Sequence, residues 1–373
     1  MKKILFLIHD LSYGGAEKVL VNLANNLDKT KYDVTIQTLF DVGVNKKFLS
    51  NDVHYIGGFK KMFPGNTKLM KLFSPNILCK LVIRKNYDVV VSFLEGPCCR
   101  IASAYNGKKI AWIHIEHKTV EELSASFRSQ EEMTKCYNSF DKIICVADTV
   151  KENFCSLFDV KADCKVLYNV NETNQIIEKS KESQDIISHC DGCFNIVSVG
   201  RLSFEHKGYD RLVRIHKRLL DNGINSKLYI LGEGGDRNKL ELMIKDLNVC
   251  DSCFLLGFDE NPYKYVAAAD LFVCSSLHEG FSTAVTESLV IGTPVISTKV
   301  SGANELLGCN NEYGIVTENN ENALYDGIYT ILTEEGLLDK YKKQAKIRGK
   351  KFSTNETVEN VEKLLEDLIL CSN

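Results

Sequence analysis

Glu279 and Glu287 stand around the segment Gly280-Phe281-Ser282-Thr283, directly after the apolar run LFVCSS. Carboxylates accept paired hydrogen bonds and so suit neighbouring sugar hydroxyls. Ser282 or Thr283 can cap a helix whose free first-turn N–H groups favour sugar or phosphate oxygens. On spacing alone, either glutamate could equally be a capping or surface acid. A second group, Gly200-Arg201-Leu202-Ser203-Phe204-Glu205-His206-Lys207-Gly208, follows the strand-like FNIVSVG. A guanidinium and an ammonium at the end of a buried strand suit a diphosphate, whose charge is spread over several oxygens. The plainer reading is two surface cations paired with Glu205 and other acids. A third group is Gly14-Gly15, between an apolar strand and an amphipathic helix. It is either a close approach of backbone to an anion or an ordinary turn.

These residues need elements to hold them. Apolar runs rich in Val, Ile and Leu predict strands at 3–8, 33–39, 88–93, 109–113 and 142–146, then at 194–199, 227–231, 253–257, 271–275, 294–297 and 314–316. Continuous apolar runs mark strands buried on both faces, and these imply parallel sheets with helical crossovers. The expected fold is α/β, with two Rossmann-like doubly wound domains facing a cleft, where ligands meet the carboxyl ends of the strands. The first domain spans 1–168, a polar connection 169–190 and the second domain 191–352. A C-terminal helix at 353–373 has the option of packing back on the first domain.

The chain has 373 residues, more than one core usually serves. No apolar run approaches the ~20 residues of a membrane-spanning helix. The N-terminal run stops at His9-Asp10 and reads as a buried strand rather than an export signal, which places the protein in the cytoplasm. Of 14 cysteines, Cys190 with Cys193 and Cys250 with Cys253 form CxxC pairs. Their wide separation fits core and loop cysteines better than a zinc site. Residues 1–110 carry 17 Lys+Arg against 8 Asp+Glu, although the whole chain is at −3. The excess lies in 59–85, where Lys60, Lys61, Lys68, Lys71, Lys80, Arg84 and Lys85 alternate with large apolar residues and no acid intervenes. Such a stretch is either a peripheral contact with an anionic membrane surface or a solvated helical face. No motif points to nucleic acid.

The blocks GGAEKVLVNLA, GRLSFEHKG, LGEGGDRNKL, AAADLFVCSSLHEGFSTAVTESLVIGTPVIST and YGIVTE, in that order, resemble those of family-four retaining glycosyltransferases of the GT-B fold. The similarity is greatest to bacterial enzymes of capsular, exopolysaccharide or lipid-linked glycan synthesis. The resemblance implies that Glu279 contacts the donor sugar beside its anomeric centre and that Glu287 binds the ribose hydroxyls. It implies that Gly280, Phe281, Ser282 and Thr283 hold sugar and diphosphate through backbone amides, and that Arg201 and Lys207 neutralise the diphosphate. Here the block carries one residue more than usual before Lys207-Gly208. Gly14 and Gly15 match the loop at the diphosphate, and Gly257-Phe258 the loop beside the base. His114 matches the histidine near the donor sugar, with His117 as its nearby competitor. One departure is Tyr168-Asn169-Val170-Asn171, where relatives often write Asn, then Pro or Gly, then Asp.

The resemblance implies a retaining transfer from a nucleotide-diphosphate sugar, with UDP favoured as the nucleotide. The implied acceptor is a glycan or polyprenyl-diphosphate-linked glycan, and the remaining expected partner, on the membrane reading of the basic stretch, is an anionic membrane surface contacted through 59–85. Departure and attack on one face of the sugar need no protein nucleophile. No Asp-x-Asp occurs, so a metal-independent reaction without a cofactor is expected. Glu95-Gly96-Pro97 is expected on the acceptor side. The rival readings are a non-catalytic partner subunit, a sugar-nucleotide epimerase or phosphorylase of the same architecture, and a nicotinamide oxidoreductase, which lacks its GxGxxG here.

Overall fold

In the computed structural model, residues 1–12, 14–182, 187 and 192–370 are described. The chain divides into two units, one of residues 1–171 with 354 onward and one of 172–353.

The first unit is built on seven parallel strands: β1 (Lys2–Ile8), β2 (Tyr32–Thr38), β3 (His54–Ile56), β4 (Val89–Ser92), β5 (Lys108–Ile113), β6 (Lys142–Cys145) and β7 (Asp163–Val166). Their order is β3-β2-β1-β4-β5-β6-β7. The central β1 buries Ile4 to Ile8 completely, and β4 does the same with Val89 to Val91. That two-sided burial made the inner strands readable as apolar runs. The edge strands β3 and β7 were missed, because HYI and DCKV are short, polar and partly exposed, as edges tend to be. The C-terminal helix Thr354–Leu370 belongs to this unit and buries Val358, Val361, Leu364, Leu365 and Leu368. Glu362 Oε1 accepts from Asp28 N at 2.8 Å, and Lys31 pairs with Glu366 at 3.0 Å.

The second unit carries β8 (Phe194–Val199), β9 (Ser226–Leu231), β10 (Cys253–Gly257), β11 (Leu271–Cys274), β12 (Val295–Thr298) and β13 (Ile315–Thr317). All are parallel, in the order β10-β9-β8-β11-β12-β13. In both sheets the order reverses beside the first strand, so the carboxyl ends of β1 and β4, and of β8 and β11, flank a switch point where such sheets bind ligands. Ile196, Leu228, Ile230, Val273 and Ile296 from the sheet pack with Leu212, Ile215, Leu324 and Ile328 from its helices.

Within the polar stretch 169–190, Val170 and Asn171 are buried in the first unit, where Asn22 Nδ2 donates to Val170 O at 3.2 Å. Thr173–Ser180 is a helix of the second unit, tied in by Asn261 Nδ2, which donates to Lys179 O at 3.0 Å. Its single deeply buried apolar residue, Ile176, leaves little periodicity to read. Cys190 lies outside the described residues, whereas Cys253 is buried in β10 and Cys250 is exposed. Among the described residues, no helix is long and apolar enough to cross a membrane.

Candidate active site

At the switch point of the second sheet, β8 runs into Gly200-Arg201 and then a single helical turn, Phe204–Lys207. Gly208 follows with φ +61, and a Cβ there would stand 2.6 Å from Ser275 O. Only glycine lets the backbone turn this closely past the end of β11. The turn is held by Ser275 Oγ, which donates to Lys207 O at 2.8 Å, and by Leu277 N, which donates to His206 O at 2.8 Å. Lys207 Nζ thereby meets Glu279 Oε1 at 2.5 Å, and Ser276 Oγ donates to the same oxygen at 2.6 Å. The lysine and glutamate side chains are only 23% and 13% exposed. Burial alone would lower the Lys207 pKa, but the Glu279 carboxylate outweighs it and holds the ammonium above its ordinary range.

Behind this pair, the buried Arg211 clasps the same backbone. Its Nε donates to Ser275 O at 2.9 Å, one Nη to Ser276 O at 2.8 Å and the other to Asn319 Oδ1 at 2.8 Å. Thr298 Oγ1 also donates to Ser276 O, at 2.6 Å. Arg211 and Thr298 went unrecognised in the sequence because their partners lie far along the chain, and Ser276 because a serine three residues before a glutamate has no distinctive pattern.

Ser282 caps the helix Thr283–Ile291, with Ser282 Oγ accepting from Val285 N at 3.4 Å. Phe281 is buried against Phe352, with ring centroids 6.1 Å apart, so this segment offers its backbone rather than its ring. Gly302, at φ +73, packs beneath it, and a Cβ there would come 2.9 Å from Gly280 O. Glu287 is buried one turn into the helix, where Tyr263 OH donates to its Oε1 at 3.4 Å. Gly257 has φ +78 at the end of β10, and Phe258 beyond it is exposed. Arg201 is also exposed, and its side chain makes no hydrogen bond or ion pair with any described residue. The structure thus joins Lys207 to Glu279, sets Glu287 in the same helix-and-loop segment, and leaves Arg201 outside the ion pair.

The first unit has a different chemistry at the ends of its strands. Gly14 is extended and precedes the helix Gly15–Asn26, with the Glu17 carboxylate lying against it. Next to it, His9 Nδ1 lies 2.7 Å from Asp10 Oδ2, and Ser12 N donates to Asp10 Oδ1 at 2.8 Å. Burial pushes the Asp10 carboxyl up, but these bonds prevail and hold it below the usual range. At the end of β5, His114 is buried with its ring 4.7 Å from that of Phe93. Its Nε2 has no hydrogen-bond partner among the described residues, and the same holds for His117 Nε2. Burial drops the His114 pKa to about 3 and lowers that of His117 as well. Glu95 Oε1 accepts from the backbone N of His114 and, at 2.8 Å, from Ile115 N. Burial pushes the Glu95 carboxyl up to about 7, against the pull of these N–H groups. These shifts come from burial and are not readable from the residue types.

Two family models divide the chain between them: Glycosyltransferase Family 4 matches residues 13–174, and Glycosyl transferases group 1 matches 180–348. The chain is 30% identical over 365 residues to an N-acetylgalactosamine-N,N'-diacetylbacillosaminyl-diphospho-undecaprenol 4-alpha-N-acetylgalactosaminyltransferase of Campylobacter jejuni subsp. jejuni serotype O:2, covering 94% of this chain and 96% of the relative. This chain belongs to the family-four glycosyltransferases. A second Campylobacter jejuni enzyme, a GalNAc-alpha-(1->4)-GalNAc-alpha-(1->3)-diNAcBac-PP-undecaprenol alpha-1,4-N-acetyl-D-galactosaminyltransferase, is 27% identical over 376 residues, 99% of each chain. Among solved structures, Anabaena HepE in complex with UDP and glucose superimposes with TM-score 0.77 at 18% identity, over 98% of this chain and 100% of that one. The α/β reading, with two Rossmann-like parallel sheets of GT-B type, holds. The activity of this glycosyltransferase is transfer of a sugar.

Proposed function

We propose that this glycosyltransferase moves a sugar, with retention of anomeric configuration, from a UDP-sugar to a polyprenyl-diphosphate-linked glycan in cell-surface polysaccharide synthesis. The acceptor class is supported by the two Campylobacter relatives, whose names specify undecaprenol-diphosphate glycans. The nucleotide is supported by the UDP held in Anabaena HepE and in Staphylococcus aureus TarM. A lipid-linked acceptor brings the reaction to a membrane, and we place the protein in the cytoplasm at the inner face of that membrane.

One observation carries the assignment of roles: the Lys207–Glu279 pair, tied by Ser276 at the carboxyl end of β11. Lys207 and Arg201 neutralise the departing diphosphate, aided by the N–H groups opening the helix Thr283–Ile291 and by the glycines at 14 and 15. Glu279 takes the donor-sugar hydroxyls beside the anomeric carbon, Gly280 to Thr283 bind through backbone N–H groups, and Glu287 takes the ribose. Gly257-Phe258 receives the base, and His114, neutral at Nε2, hydrogen-bonds the donor sugar. Attack and departure occur on the same face of the sugar, the leaving diphosphate oxygen accepting the acceptor's proton. The absence of Asp-x-Asp from the sequence supports cations of the chain, rather than a bridging metal, at the diphosphate.

The test is thermal stabilisation by a panel of UDP-sugars, run beside Glu287→Ala. A ligand at 100 times its Kd adds about 2.7 kcal/mol. A shift with one donor that Glu287→Ala abolishes is the expected result. No shift with any donor, or a shift indifferent to Glu287, overturns the reading.

A further inference from the structure

The stretch from 59 to 81 holds eight of the eighteen large apolar side chains exposed among the described residues. Leu72 is 73% exposed and Phe59 68%, with Met62, Leu69, Phe73 and Leu81 also open to solvent. A concentration of this kind marks a surface that something covers. It is also a shaped surface. Phe59 N donates to Leu39 O at 2.9 Å and Asp41 N to Phe59 O at 2.8 Å, which fastens one end to the edge of the first sheet. The rings of Phe59 and Phe63 lean on buried Phe40, with centroids 6.1 and 6.0 Å away.

The other end is held by two arginines. Arg100, 1% exposed, donates to Met70 O at 2.9 Å and Phe73 O at 2.7 Å, and is paired with Glu132 at 3.0 Å. Arg128 donates to Lys71 O at 2.6 Å and Leu72 O at 2.8 Å. Four consecutive carbonyls at the end of the helix Asn66–Met70 are thus satisfied by guanidinium groups, and the turn between them presents Leu72 outward. Burying the Arg100 guanidinium to hold one exposed turn costs desolvation, which has a purpose when the turn must meet a partner in a set shape.

The charge selects the partner. From 53 to 87 there are seven Lys and Arg and no Asp or Glu, and Lys60, Lys61, Lys68 and Lys80 are exposed among the apolar residues. A second copy meeting this face about a two-fold axis would set cations against cations. An anionic bilayer instead takes apolar side chains into its interface and pairs the cations with headgroups. We propose that the face over residues 59–81 docks the protein on an anionic lipid bilayer, with Arg100 and Arg128 as positioning residues that hold the docking turn in shape. This agrees with the proposed lipid-linked acceptor and depends on that reading only for its purpose.

The test is co-sedimentation of the full chain, without donor or acceptor, with vesicles of phosphatidylcholine alone or mixed equally with phosphatidylglycerol. The wild type is expected to bind only the mixed vesicles. Reversal of Lys60, Lys61, Lys68 and Lys71 to Glu is expected to weaken binding by ~100-fold or more. Phe59→Glu with Leu72→Glu removes the apolar part and is expected to abolish binding. Arg128→Lys keeps the charge but gives up the planar fork whose Nε and Nη reach Lys71 O and Leu72 O, and is expected to weaken binding severalfold. Stabilisation of each variant by UDP reports folding and the transferase reading separately. Equal binding to both vesicle types, or unchanged binding of the charge-reversed or apolar variants, overturns the proposal. So does a wild-type dimer that Leu72→Glu makes monomeric, while unchanged binding of Arg128→Lys overturns the positioning role.

Discussion

The end of β11 in the second unit and the ends of β4 and β5 in the first differ in their electrostatics. In the second unit Lys207 keeps its charge by pairing with Glu279, which also accepts from Ser276 on the same oxygen. In the first unit, burial drives Glu95 and His114 toward their uncharged forms, the carboxyl up to about 7 and the imidazole down to about 3. A buried ion stays charged where an opposite charge sits within hydrogen-bonding distance, and otherwise gives up its charge.

The largest effect is expected from breaking the pair. Lys207→Met leaves the Glu279 carboxylate with Ser276 alone and is expected to cost about 3 kcal/mol, read by chemical denaturation. Transfer is expected to fall by at least ~100-fold. An undisturbed variant would remove the distinction between the two units.

Glu95 tests the other side. Its carboxyl is raised when folded, so the folded chain keeps a proton that the unfolded chain has lost, and the stability from the protonated group fades as pH rises from about 4.5 to about 7. Glu95→Gln keeps an oxygen for the His114 and Ile115 N–H groups and cannot ionise. Relative to wild type it is expected to gain about 3 kcal/mol between pH 4.5 and 8. His114 has the opposite sign. It is held neutral, so its contribution is present above about 6.5 and is lost as pH falls toward about 3. Parallel pH–stability curves for wild type and Glu95→Gln would show that the carboxyl is not raised.

Ser282→Ala is expected to cost about 1 kcal/mol through the lost helix cap, together with some donor affinity. Arg201→Ala sharpens the comparison at its lower limit. Because its side chain bonds to no described residue, the melting temperature is expected to stay unchanged while UDP affinity falls. Destabilisation there would place Arg201 in the framework rather than at the ligand.

The inner strands were readable because both faces are apolar, as in LFLI of β1 and VVV of β4. The edges β3 and β7 and the helix Thr173–Ser180 were not, since each buries too little to leave a pattern. At the site, Lys207, Glu279 and Ser282 could be chosen from side-chain type and from their position just after a strand. The salt bridge of Lys207 to a glutamate 72 residues away could not. Nor could the guanidinium support that Arg100 and Arg128 give to 70–73, which spans 27 to 57 residues.

The order of elements, the two-sheet architecture and the chemical types available at the strand ends were determined by the sequence, because local burial and local charge are written in neighbouring residues. Tertiary structure decided which charges survive. Ionisation depends on desolvation and on the distance to a partner, and in this chain both are set by residues that meet only when the sheets form.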